Sequence, residues 1–471
     1  MSANIKMERA VHNPGIWDNI CDFGKKLGGT PKTAQLLLGD PDLLAIVPKT
    51  CSVEPITEVA MPGRTFHIIN DPVLQKEIMR CPRNDKEGMF FSPDEELRII
   101  QLFKTVFNDM ELDRNDLIFT CEKEQAELFH TFFRKVLSNK IIDQLRDSIS
   151  AIVNKTLNNG LKGDLYQTCK VYASSVISEI FLDYRGDSEE ITHAVSKLLS
   201  ESIKGITLTG RLKMLAVETG LATSEPTLDA LKVLKTAASE ACEKAQNSEG
   251  SPSIIKEMLD FEYAGKKAFS EKQVQIMALT LLIAGQDTAA TSLYYLLIKL
   301  AQHPEYAEGI RQDSDQFMRC FVEALRMCPP AYFVYRQPAD AVSITIDDRN
   351  YHIGKTDFIE TCPYLTARHP SIAGDNPDEF DPARHDKIPS RLTGLPWLPF
   401  GTGLNKCVGW YLAKTEVELF VRELLQRFEL STEFEGEPRK KGKFTTVIAD
   451  EIDIELKARR PSPEEVHQSK K

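Results

Sequence analysis

From Ser270 to His303 the chain keeps one unbroken helical pattern, and no other stretch constrains the fold as strongly. Ser270-Glu271-Lys272 offers an N-cap with an acid in the first turn, and Pro304 ends the pattern after His303. A typical globular helix has about three to four turns, so a helix this long has to cross the whole molecule. Its most apolar window, Ile276 to Gly285, is ten residues long. A bilayer span needs about 20, so the window predicts a core helix and not a membrane segment. The first residues, MSANIKMERAVHNPGIWDNICDFGKK, hold no apolar run of the signal or anchor type, which predicts a soluble, cytoplasmic protein with no transmembrane segment.

The helical period dominates from about 92 to 330, with helices over about 120–138, 140–157, 165–182 and 315–327, and a last one over about 408–427. Short β-type stretches lie within 32–80, at Val342–Ile346, Tyr351–Ile353 and Asp357–Glu360, and in a closing hairpin of Phe444–Ile448 with Ile452–Leu456. The fold class is therefore mainly α with small β-sheets, an α+β arrangement. A length of 471 residues suggests roughly three domains on length alone. The ten cysteines form no CxxC pair, which argues against a zinc cage or a disulfide framework and suits a reducing compartment. A net charge of −11 and a pI near 5.5 speak against nucleic acid as a partner.

Directly before the last helix stands Phe400-Gly401-Thr402-Gly403-Leu404-Asn405-Lys406-Cys407-Val408-Gly409. Paired glycines permit a tight loop whose backbone comes close to a flat ligand. Cys407 sits at a helix N-terminus, where the macrodipole and free N–H groups favour a thiolate. Such a group serves as a nucleophile or a soft metal ligand; a buried structural cysteine beside an ordinary glycine loop is the plain alternative.

This loop resembles the haem-binding loop of the cytochrome P450 family, with Cys seven residues after the Phe and Gly two beyond. Four further landmarks of that family follow in order: His130-Thr131-Phe132-Phe133-Arg134, Ala284-Gly285-Gln286-Asp287-Thr288, Glu323-Ala324-Leu325-Arg326 and Phe380-Asp381-Pro382-Ala383-Arg384. The resemblance implies a cytochrome P450 fold with the long helix over a haem. It implies one domain over 31–459, its β-rich lobe formed by about 32–80 with strands at 340–360 and 444–456. Residues 1–30 form an extension and 460–471 a polar tail.

The resemblance also assigns roles. Cys407 becomes the axial ligand of haem b, cradled by Phe400, Gly401, Gly403, Asn405 and Gly409. His130, Arg134 and Arg336 meet the propionates, while Ala284 and Gly285 make room over the ring. Asp287 and Thr288 form the proton-handling pair, with the Thr288 hydroxyl bonding back to Ala284 and opening the helix. Glu323 and Arg326 share one helix face and pair, and Arg384 supplies a third charge that locks them. Met89, Phe90, Phe91, Phe333, Val334 and Thr446, with Thr445 and Val447, outline a pocket for an apolar small molecule.

The implied activity is a haem-thiolate monooxygenase that puts one oxygen atom of dioxygen into such a substrate. Electrons come from a ferredoxin- or flavodoxin-type carrier or a reductase, docking on a basic face of Arg134, Lys135, Lys140, Lys406, Lys414 and Arg422. Asn405 stands where the family usually has Arg or His, and Ala383 where it usually has an acid. Asn405 keeps open an isomerase, dehydratase or peroxygenase that needs no redox partner. A haem-binding protein without catalysis is the further alternative.

Overall fold

The computed structural model describes residues 5–9, 54–61, 64–80, 90–91, 114–116, 118, 121, 123–161, 164–184, 186–204, 225–247, 253–338, 340–389, 391–403, 406–443 and 445–459. Strands β1 (Ile5–Arg9), β2 (Ile56–Met61) and β3 (Arg64–Ile69) precede helix α1 (Pro72–Arg80) and strand β4 (Phe90–Phe91). Helices α2 (Lys123–Val136), α3 (Asn139–Gln144), α4 (Arg146–Asn158), α5 (Leu165–Ser175), α6 (Ser188–Lys204), α7 (Glu225–Asn247) and α8 (Ile254–Leu259) follow. A π-helical turn, Val176–Phe181, extends α5. The small hairpin β5 (Glu262–Tyr263) and β6 (Lys266–Lys267) leads into α9 (Glu271–Gln302), α10 (Pro304–Gln312) and α11 (Ser314–Met327). The remainder is β7 (Val334–Pro338), β8 (Val342–Ile346), β9 (Arg349–Ile353), β10 (Phe358–Thr361), α12 (Pro363–Thr366), α13 (Pro370–Ala373), α14 (Trp410–Arg427), β11 (Phe428–Ser431), β12 (Lys440–Gly442), β13 (Thr446–Ile448) and β14 (Glu455–Ala458).

The long helix starts and stops where its chemistry dictates. The Gln273 N–H donates to Ser270 Oγ at 3.2 Å and the Ser270 N–H donates to Gln273 Oε1 at 3.0 Å, a reciprocal capping box. At the far end Pro304 opens α10. By length and composition α9 does contain an 18-residue window apolar enough to cross a membrane, so the ten-residue limit drawn from the sequence is too short. That window is 78% buried inside the protein, and α9 packs against α5, α7, α11 and α14, so it is the core helix.

The largest sheet has the strand order β2-β3-β10-β7-β4, with β10 parallel to β3 and antiparallel to β7. A second sheet, β1-β8-β9, packs its Val342, Ile344 and Ile346 with Ile56, Ile69 and Ile359 of the first, and with Leu74 and Ile78 of α1. The closing hairpin is a correction: β13 pairs with β12, and β14 pairs with β11. The intended turn is occupied, because the Ala449 N–H donates to Arg439 O at 2.8 Å and the Asp450 carboxylate takes both the backbone N–H and the side chain of Arg439.

On β3 the buried His67 ring lies 3.4 Å from both Glu58 of β2 and Asp357 before β10. Burial alone would depress its pKa, but the two carboxylates outweigh burial and raise it. A raised histidine stabilises the fold fully below its unfolded value of about 6.5, and that stabilisation is lost as pH rises through the folded value. The stability difference between wild type and His67→Gln, read from urea midpoints, is therefore expected to be larger at pH 5.5 than at pH 8.5. An equal difference at both pH values refutes the clasp.

Candidate active site

From Ile276 to Ala301 every α9 residue is buried except Leu281, Ala284, Gly285 and Thr288, which are half-buried. Their spacing of three, four and seven puts them on one face, so a single stripe of the core helix is left partly uncovered. Thr288 Oγ donates to Ala284 O at 2.8 Å, the back-bond expected from the sequence. At Gly285 the structure shows a packing reason for the missing side chain. A Cβ there would lie 2.7 Å from the Ile177 side chain of the π-turn, so the missing side chain admits a packing neighbour. Asp287 is buried and turned away from the stripe. Its Oδ1 accepts from Gln286 Nε2 at 3.2 Å and lies 3.9 Å from Lys170 Nζ of α5.

The loop before α14 is built on positive φ at Leu398, Gly401 and Gly403. Gly403 lies against the Met79–Arg80 backbone, 3.7 Å from a Cβ position. The Gly401 N–H donates to Leu398 O at 2.9 Å and the Cys407 N–H donates to Phe400 O at 2.7 Å, which closes the loop. Gly409 is the N-cap of α14 with φ −93°, and nothing lies within 4 Å of a Cβ there, so a side chain fits at this position. Asn405 lies outside the described residues, as do Met89, Cys21, Cys51 and Cys81.

Among the described cysteines Cys407 is exposed and the other six are buried. Desolvation by surrounding protein nonetheless pushes its thiol up to about 11, and the Gly409 N–H on its sulfur only partly offsets this. The macrodipole reading from the sequence is corrected accordingly. Cys407 stands two residues before the N-cap, and loss of water outweighs the helix field. A thiol of this kind would become a thiolate on binding a metal, its proton being released to solvent.

Arg336 of β7 is buried; it donates to Tyr335 O at 2.8 Å and points a second nitrogen at Met79 Sδ, 3.6 Å away. His130 is buried on α2, whereas Arg134 is exposed and donates to His130 O at 3.1 Å and Thr131 Oγ at 3.3 Å on its own helix. Phe333 and Val334 are half-buried at the start of β7, and β4, Phe90–Phe91, pairs with the end of that strand. Thr446 does not line a pocket with its hydroxyl. It is fully buried, and Oγ donates to Pro329 O at 2.6 Å, pinning β13 to the end of α11.

Glu323 and Arg326 of α11 are both fully buried and form a two-pronged pair at 2.8 and 2.9 Å. Arg326 also donates to Pro377 O at 2.7 Å and Glu379 O at 3.2 Å, while Glu323 accepts the Asp381 N–H at 3.0 Å. The third partner differs from the sequence reading. His385 approaches Glu323 Oε2 at 2.8 Å, whereas Arg384 stands at 3.5 Å and bonds mainly to the carbonyls of Ala373 and Asn376. Arg384 has other backbone acceptors within reach, and the adjacent histidine fills the gap; its position next to Arg384 was the available signal. The basic face is also reduced. Lys414 and Arg422 both pair with Glu418, and Lys135 pairs with Glu257, which leaves Lys140 exposed.

Burial would raise the Glu323 pKa, but hydrogen bonds from His385 and Arg326, with the Arg326 charge, hold it at about 2. Its stabilisation is present above the unfolded value of about 4.5 and is lost as pH falls toward the folded value. Replacing it by Gln leaves Arg326 buried without a counter-charge, an expected loss of about 3–5 kcal/mol in urea unfolding at pH 7. The loss should shrink as pH falls from 4.5; a constant loss contradicts the charged pair. Gly285→Ala is expected to cost about 1–3 kcal/mol from overpacking. Adding Ile177→Ala should recover part of that cost, and strict additivity of the two losses refutes the contact.

A family model described as "Cytochrome P450" matches residues 49–457. Similar curated proteins include a sterol 14alpha-demethylase of Mycolicibacterium vanbaalenii, 26% identical over 185 residues, covering 35% of this chain and 40% of that protein. An ultra-long-chain fatty acid omega-hydroxylase of Homo sapiens is 26% identical over 243 residues, covering 46% and 44%. The matched stretches thus span about two fifths of these relatives' lengths. Among solved structures, the retinoic acid-bound cyanobacterial CYP120A1 superposes with a TM-score of 0.69 at 16% identity, over 86% of this chain and 92% of that one. The family model spans most of the chain and the matched structure shares its fold, so this protein belongs to the cytochrome P450 family.

Proposed function

We propose that the chain is a haem-thiolate monooxygenase acting as one domain over 31–459, in which Cys407 would hold the haem iron through its sulfur. The observation that carries this is the Cys407 loop: an exposed cysteine whose sulfur receives one backbone N–H, on a glycine loop that packs against the α1 backbone next to Met79, the residue Arg336 points at. That donor set fits a haem: a soft sulfur for iron, Arg336 and His130 for the propionates, small residues on α9 for the ring. When bound, the haem supplies the oxidation chemistry.

The chain's own residues handle everything else. Gly409 donates to the sulfur and tempers its charge. Arg336, buried between strand and α1, gives the propionates a fixed cation in a low-dielectric setting. Thr288 holds its proton on the Ala284 carbonyl, available to the stripe. Asp287 exchanges protons with the outside through Lys170, which is partly exposed. Phe333 and Val334 offer apolar contacts to the substrate. The named relatives act on a sterol and an ultra-long-chain fatty acid, and the matched structure binds retinoic acid. An apolar, lipid-like substrate follows by analogy. Electrons come from a separate carrier or reductase, with Lys140, Lys406 and Arg134 as the docking cations.

The second reading, a partner-free isomerase or peroxygenase, draws on Asn405 and on Asp287 being turned from the stripe. The reduced protein with carbon monoxide is expected to give the red-shifted thiolate band, and Cys407→Ser to abolish it. The absence of that band in wild type overturns the assignment. Product with dioxygen and a surrogate electron carrier supports the monooxygenase; product with peroxide alone supports the second reading.

A further inference from the structure

Gln286 is fully buried, and its amide is committed to three helices at once. Its Oε1 accepts from Ser174 Oγ of α5 at 2.5 Å. Its Nε2 lies 3.3 Å from Ser196 Oγ and 3.4 Å from Thr192 O, both on α6, and 3.2 Å from Asp287 Oδ1 on its own helix. Two N–H groups therefore serve three acceptors, one of them a carboxylate. The amide cannot be reversed without setting its carbonyl oxygen against the Thr192 carbonyl and the Asp287 carboxylate, so its neighbours fix its orientation. The cation near Asp287, Lys170, is farther away at 3.9 Å, lies over the Tyr166 ring and is partly exposed. Thr288, the next residue, faces the half-buried stripe and bonds to Ala284 O.

We propose that Gln286 is a positioning residue that holds the Asp287 carboxylate on the α5–α6 side of the core helix, leaving the stripe to Thr288 alone. This rests on the reading of Asp287 and Thr288 as the proton-handling pair. An acid in an apolar helix keeps one orientation only if its lone pairs are occupied. Lys170 alone, at 3.9 Å and reachable by water, is a weak anchor. The amide supplies the short-range bond, and Ser174, Ser196 and Thr192 prevent the amide from turning. Acid and hydroxyl are thereby served from different sides of the helix: Asp287 from the surface through Lys170, Thr288 from the site.

The test uses the haem-loaded full chain and the C–O stretch of carbon monoxide on the reduced protein, which reads the local electric field without turnover. Gln286→Met keeps the length of the side chain and removes its hydrogen bonds. A carboxylate released toward the stripe opposes electron density on the ligand oxygen, so the band is expected to move to higher frequency or split. Asp287→Asn in the same background is expected to return it to the wild-type position. Ser174→Ala, which frees the amide but keeps it, should give a smaller shift of the same sign. An unmoved band in Gln286→Met, whatever its thermal midpoint does, reduces Gln286 to a packing residue and overturns the proposal. If wild type lacks the red-shifted thiolate band, the haem-thiolate reading falls and this inference with it; an intact thiolate band with an unmoved stretch overturns this inference alone.

Discussion

The pair of Glu323 and Arg326 is the interaction on which the rest of the site depends. Two charges buried in the middle of a protein are destabilising unless every lone pair and proton is matched. Here they are matched from one direction. Pro377 O, Glu379 O, the Asp381 N–H and His385 all belong to the irregular stretch that follows α13. That stretch has few regular elements and little backbone pairing of its own, so the α11 charges order it. Arg368 adds a second tie, donating to Met327 O at 2.9 Å and pairing with Asp378. The Cys407 loop follows immediately in the chain, through Trp397, whose carbonyl accepts from Gln75 of α1 at 2.9 Å. The irregular stretch thus joins the buried pair to the Cys407 loop along the chain.

The core helix makes the opposite contribution. It is apolar nearly all round, as a helix surrounded by others must be, and its polar residues cluster near the middle. Gln286 and Asp287 face α5 and α6, Thr291 bonds to Tyr166 and to the Thr446 carbonyl, and Thr288 back-bonds to Ala284. This segment ties the helix to α5, α6 and β13, while Tyr294, Tyr295, Lys299 and Gln302 make a second set of bonds toward its C-terminal end. The stripe at Leu281, Ala284, Gly285 and Thr288 stays half-buried, with Ile177 packed against Gly285.

Much of this was legible in the sequence, and what was not has physical reasons. The Val342–Ile346 strand and both ends of α9 follow from alternation and capping, which are local. The five landmarks fixed the family because they are spaced patterns that carry chemistry. Pairing partners are not local: β14 lies beside β11, which leaves α14 directly, and no window near 452 contains that information. Gly285 was assigned to a ligand because the sequence does not reveal Ile177 beside it. Thr446 was assigned to a pocket because a hydroxyl in a closing strand gives no sign that Pro329 already accepts its proton. Arg384 was named as the lock because charge is visible in a sequence, while the distance advantage of His385 is not.

Cys407 shows the same limit in energetic form. A helix field is readable from position, but desolvation is a property of everything that packs around the sulfur, and the latter dominates. Three buried acids place this in order. Among the described residues both carboxyl oxygens of buried Glu360 and one of buried Glu416 find no hydrogen-bond partner, and burial drives both pKa values well above the ordinary carboxylate range. Glu323 is buried as deeply but is fully partnered, and it stays charged. Burial alone therefore does not decide protonation in this interior; the count of donors aimed at the carboxylate does. Asp287 has one amide at hydrogen-bond distance and one ammonium beyond it. An acid held by so few donors is one whose orientation the neighbouring amide can control, which is the role proposed for the buried glutamine on this helix.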